Sequence, residues 1–74
     1  MTSAERKSFN RQIREAVENT FGFAPAASSI VILESASQGL ALLDAAFQVN
    51  GKGYSWNRFA QGGAVLRNED YDRR

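Results

Sequence analysis

The chain of 74 residues is 43% apolar and carries nine Lys and Arg against eight Asp and Glu, a formal charge of +1. That is the scale of one small domain (residues 1–74), without the one-sided charge of a histone-like or acidic segment. It has no His and no Cys, which excludes Cys/His zinc sites, thiol chemistry, disulfide frameworks and any catalytic dyad or triad built on imidazole.

Met1 to Ser8 is polar and leads into a charged segment, so it does not read as a signal peptide. The longest run of large aliphatic residues is Ile30 to Leu33, far short of the ~20 residues that a membrane span needs. The expectation is a soluble, cytoplasmic protein with no membrane partner. A core this small has no disulfide or His/Cys metal site to staple it. Either its packing is good or a partner, a second copy or another protein, buries more apolar area.

The first segment reads as an amphipathic helix over roughly residues 3–20. Thr2 and Glu5 stand at the spacing of a capping box, where each side chain satisfies an orphan amide of the other. Phe9, Ile13, Ala16, Val17 and Phe21 then form one stripe of a 3.6-residue period. Arg6, Lys7, Arg11, Arg14, Glu15 and Glu18 take the remaining positions. Gly22 suits a left-handed C-cap, and Pro25 prevents continuation.

Ser28 to Leu33 is short and rich in β-branched residues, which predicts a strand. Asn50-Gly51 predicts a two-residue type I′ hairpin turn. Counting outward from it pairs Val49 with Lys52, Phe47 with Tyr54, Ala45 with Trp56 and Leu43 with Arg58 on one face. Gln48–Gly53, Ala46–Ser55 and Asp44–Asn57 fall on the other. Residues 36–45 fit a strand closed by a turn at Ser37-Gln38-Gly39, with a second short helix as the alternative because Ala and Leu favour helix intrinsically. Gln61-Gly62-Gly63 predicts a further turn and Ala64 to Arg67 a last strand. Residues 68–74 are charge-rich and predict a loose tail. The fold class is therefore α+β, an N-terminal helix on one face of a four-stranded antiparallel meander.

Lys52-Gly53-Tyr54-Ser55-Trp56-Asn57-Arg58-Phe59 resembles the aromatic octapeptide of the RNA recognition motif family. The resemblance implies base stacking on Tyr54 and Trp56, with Lys52 and Arg58 at phosphates. The residues themselves favour the other orientation of the sheet. Displaying Tyr54 and Trp56 would put Gln48, Asp44, Ser55 and Asn57 in the core, at several kcal/mol for unpartnered polar groups. An antiparallel sheet with one wet face instead packs the aromatic face under the helix.

The helix cations are interleaved with Glu5, Glu15 and Glu18, unlike the one-sign patch of a phosphate-binding surface, which argues against a nucleic-acid partner. Glu34 and Asp44 fall on neighbouring strands but suggest no cleft. Asn68 to Asp72 lacks the spacing of a calcium loop, and the glycines are turn glycines that open no helix. The expectation is a non-enzymatic protein-binding module without cofactor or metal. It would act by occupying a surface on a larger partner, as an inhibitor or adaptor of the kind viruses and mobile elements carry. The candidate interface residues are Gln48, Ser55 and Asn57 of the polar sheet face and Arg11 and Arg14 of the helix. A homodimer stays open. The alternative function is single-stranded RNA or DNA binding by Lys52, Tyr54, Trp56 and Arg58.

Overall fold

The structure, a computed structural model, describes residues 1–73. Its first element, α1, runs from Ser3 to Phe21. The Thr2 hydroxyl accepts from the Glu5 N–H at 3.1 Å, and the Glu5 carboxylate accepts from the Thr2 N–H at 2.9 Å. Gly22 closes the helix at φ 85°, its N–H reaching the Glu18 carbonyl. Phe9, Ile13, Ala16 and Val17 are buried. Phe21, the last of the predicted stripe, is exposed at the helix end, its ring edge-on to Tyr54 at 5.8 Å.

Four antiparallel strands follow in the order β1 (Ile30–Gln38), β2 (Ala41–Val49), β3 (Lys52–Asn57) and β4 (Val65–Arg67). The meander is the α+β arrangement that the sequence predicts. Asn50 and Gly51 both have positive φ, 52° and 84°, as a type I′ turn requires. The β2–β3 register is the counted one, from Val49–Lys52 through Phe47–Tyr54 and Ala45–Trp56 to Asp44–Asn57. Phe9, Ile13, Ala16 and Val17 of α1 pack with Ile30, Leu42, Ala45, Phe47, Val49, Trp56 and Val65 into one core.

Residues 36–45 are strand, turn and strand, so the alternative second helix does not form. Burial outweighs the helix propensity of Ala and Leu here, because only the extended chain puts Ala45, Phe47 and Val49 on the same face. The turn itself lies one residue later than expected, at Gly39-Leu40 with φ 60° at Gly39.

Two irregularities were not foreseen. The β1–β2 register shifts between Ile32 and Glu34, leaving Leu33 unpaired, and again between Ala36 and Ser37, leaving Leu43 unpaired. An extra residue reverses which face later side chains take. Leu42 is consequently fully buried while Leu43, expected on the core face opposite Arg58, is only half-buried.

The C-terminal residues correct the expectation of a loose charged tail. Asn68 to Arg73 lies along β3, with a single turn of 3-10 helix at Glu69–Tyr71. The Asn68 N–H donates to the Gly53 carbonyl at 2.9 Å and the Arg73 N–H to the Gly51 carbonyl at 2.8 Å. Gly53 N–H donates to Asp72 Oδ1 at 2.6 Å, and Gln48 Nε2 to the Tyr71 carbonyl at 2.8 Å. Mostly backbone groups hold the segment; of its charged side chains Asp72 joins these bonds, while Glu69, Asp70 and Arg73 stay exposed. Arg74 lies outside the described residues.

Candidate protein interface

The orientation of the aromatic hairpin decides which face of the sheet is free. Trp56 is 7% exposed, and its Nε1 donates to the Gly63 carbonyl at 2.8 Å. Tyr54 is half-buried, with its ring 5.8 Å from Phe47 on one side and 5.8 Å from Phe21 on another. The Arg67 guanidinium lies 5.6 Å from the same ring. Arg58 sits 5.3 Å from the Trp56 ring and is tied down by the Leu42 carbonyl at 2.8 Å and by Gln12 Oε1. Lys52 is exposed at the hairpin end. The stacking surface that the octapeptide resemblance implies is thus turned inward: its two aromatics pack under α1 and its arginine is engaged.

The residues first singled out for a protein interface do not share one surface. Gln48, Ser55 and Asn57 belong to the sheet face opposite α1, whereas Arg11 and Arg14 belong to the helix. Gln48 is bonded to the C-terminal segment. Asn57 Oδ1 accepts from the Phe59 N–H at 2.8 Å, making a local turn, and its Nδ2 lies 3.5 Å from Asp44 Oδ2. Arg11 pairs with Glu15 at 3.1 Å, and Arg14 Nε donates to the Pro25 carbonyl at 2.8 Å. A shallow cleft of about 320 Å³ on the far face brings Ser55 together with Glu34, Asp44, Asn68 and Tyr71. Phe21, Phe23 and Leu40, apolar residues near connections, are exposed.

The predicted meander already puts the first strand at an edge; what it did not give is how open that edge is. Ile30–Leu33 begins β1, which among the described residues pairs with β2 alone. Val31 is 51% and Leu33 43% exposed. The Asn50 N–H donates to the Ser29 carbonyl at 3.0 Å, which fixes the phase of the ladder. Alternation then turns the backbone groups of Gln48 and Ala46 toward β1 and those of Phe47 and Ala45 toward β3. Ile32 and Ser35 pair with Phe47 and Ala45, so their N–H and C=O groups aim away from the sheet. The other edge is β4, only three residues long and followed by the C-terminal segment.

Beside β1 runs a groove of about 380 Å³, walled by Arg6 and Asn10 of α1 and floored by Ala27 and Ile30 to Ile32. Arg6, Lys7, Asn10 and Arg14 follow one another along this flank of the helix. No carboxylate lines either hollow: Glu5 is turned back to cap Thr2, Glu15 is held by Arg11, which also lines the flank, and Glu18 lies one turn beyond Arg14. The cations and acids that alternate in sequence are thus partly sorted in space.

Gln12 was also missed. It reaches from α1 to the end of β1–β2, accepting from the Leu42 N–H at 3.0 Å and donating to the Leu40 carbonyl at 2.7 Å and Ser8 Oγ at 2.9 Å. A polar residue within an apolar stripe was the available signal.

Among the described residues no group of His, Cys, Asp and Glu is placed to hold a metal ion, and no helix is long and apolar enough to cross a membrane. No protein-family model matches the chain, and neither a curated protein nor a solved structure matches it.

Proposed function

We propose that the chain is a non-enzymatic protein-binding module that occupies a surface on a larger partner and docks through the β1 edge. The observation that carries this reading is an edge strand, apolar over its first four residues, whose outward-facing backbone groups at Ile32 and Ser35 have no strand partner among the described residues. Such an edge is a template for another strand, and proteins usually blunt it with Pro, Lys, shortness or a covering segment. β4 is short in this way. β1 has nine residues and neither Pro nor Lys, and its interruptions are the Leu33 irregularity and the Glu34 charge.

Strand addition supplies main-chain hydrogen bonds for affinity, and side-chain contacts on either face for selectivity. Occupying a partner's extended segment in this way is how an inhibitor or adaptor of this size would act. Base stacking on Tyr54 and Trp56 has less support, since it would require the aromatic face to leave the core.

The test compares proteins captured by the native chain and by Ser35→Pro, with folding verified by circular dichroism. Proline at this position removes an outward N–H while leaving the β1–β2 ladder bonds in place. Partners held by the edge are lost from the variant. An identical captured set from both chains would refute docking through β1.

A further inference from the structure

We infer that the occupant of the β1 edge is an extended acidic segment, with carboxylates on the side chains facing α1 and apolar residues on the alternate side chains. The inference rests on the edge-docking reading and adds the chemistry of the ligand. A strand laid beside β1 presents alternate side chains to two different environments. On one side it meets the groove wall formed by Arg6 and Asn10, continued along the helix by Lys7 and Arg14. Among the described residues Arg6 and Lys7 form no ion pair, so their charge is available to a ligand. Of the helix acids, Glu5 is turned to Thr2, Glu15 is paired with Arg11, and Glu18 stands one turn beyond Arg14, away from Arg6 and Lys7.

On the other side the added strand meets the side chain of Val31, whose direct partner Gln48 belongs to the far face; the exposed Leu33 follows at the irregularity. Glu34, the one charge on β1, lines the cleft of that far face and not the helix-side groove. The two rims therefore differ: Arg6 and Asn10, with Met1, beside the helix, and an apolar rim with one carboxylate beyond it. An alternating Val-Glu pattern in one direction of facing satisfies both. A second copy of this chain fits less well, because edge-to-edge pairing through β1 would offer the groove the sequence Ile30 to Gln38, which holds a single acid.

Fluorescence anisotropy with labelled Val-Glu, Val-Ser and Val-Lys repeat peptides tests the inference. The Val-Glu peptide is expected to bind about tenfold more tightly than Val-Ser, the scale of two exposed charge pairs, and Val-Lys more weakly than both. Arg6→Glu with Lys7→Glu should bring Val-Glu down to the Val-Ser level. Ser35→Pro should abolish binding of every peptide, and Leu33→Lys, which keeps all backbone bonds, should weaken it. Equal affinity for Val-Glu and Val-Ser, unaffected by charge reversal, would overturn the acidic ligand and leave edge docking standing. Binding of Val-Glu that survives both Ser35→Pro and Leu33→Lys would overturn edge docking itself. So would absence of peptide binding by a chain that sediments as a dimer. A thymidine oligonucleotide that outcompetes Val-Glu and shares its dependence on Arg6 and Lys7 would make the flank a phosphate-binding surface and overturn the inference.

Discussion

Gly53 lies directly beneath Tyr71: a Cβ on Gly53 would come within 2.6 Å of the Tyr71 Cβ and carbonyl carbon, and closer still to the Asn68 carbonyl oxygen. Gly53 has an ordinary strand pairing with Gln48, so it is the closeness of the C-terminal segment, and not backbone strain, that demands glycine. Gly53→Ala should therefore lift residues 68–73 from the sheet, at a cost of about 1–3 kcal/mol. Urea denaturation measures the loss, and faster tryptic cleavage after Arg67 shows where it falls. Unchanged cleavage would mean that the segment has room to shift in place.

Gln12 joins α1 to the irregular end of β1 and β2. Removing its amide leaves the Leu42 N–H without its acceptor and takes one of the two bonds that hold the Arg58 guanidinium. Gln12→Ala is expected to destabilise the fold by about 1–3 kcal/mol, the range for orphaning a buried polar group. Arg58→Ala should cost less, and the double variant should lose less than the sum of the two. A double-mutant cycle in urea gives this coupling directly, and strict additivity would deny that the two side chains act together.

Trp56 reports the orientation of the sheet. Its emission should be blue-shifted, poorly quenched by iodide and unaltered by single-stranded oligonucleotides. Trp56→Ala should lose about 3–5 kcal/mol, as expected for truncating a large buried aromatic. A red, quenchable emission would place the ring outside the core.

The Thr2 backbone N–H, and after it the Thr2 hydroxyl, hold the Glu5 carboxyl below its ordinary value of 4.5. Its folded value is therefore lower than its unfolded one, so the cap contributes stability above about pH 4.5 that is lost as pH falls through the lowered folded value. Glu5→Gln keeps an acceptor but removes the titration. Its urea midpoint should fall less steeply below about pH 4.5 than that of the native chain. Equal slopes would mean that the cap does not contribute to acid sensitivity.

What the sequence made legible was local. The capping box, the Gly22 stop and the Asn50-Gly51 turn each depend on residues a few positions apart, and the turn alone fixes the register from Val49–Lys52 to Asp44–Asn57. The orientation of the sheet followed from the cost of burying Asp44, Gln48, Ser55 and Asn57. The remainder depends on contacts distant in the chain. The irregularity at Leu43 shifts Leu42 into the core, next to the backbone that Gln12 binds from 30 residues away. The ordering of residues 68–73 needs the missing side chain at Gly53 and the bonds from Gln48 and Asp72. Charge content alone carries none of this. The candidate site was legible only in part: the predicted meander puts β1 at an edge, but the irregularity at Leu33 and the groove beside Arg6 and Asn10 depend on how α1 packs against the sheet.

If β1 receives another strand, backbone amide exchange observes it bond by bond. Amide hydrogen exchange followed by NMR, with and without the Val-Glu repeat peptide, should show Ile32 and Ser35 slowing on peptide addition. Amides already paired to β2, such as those of Val31 and Glu34, should change little. Protection gained along β4 or α1, with Ile32 and Ser35 unchanged, would contradict the account.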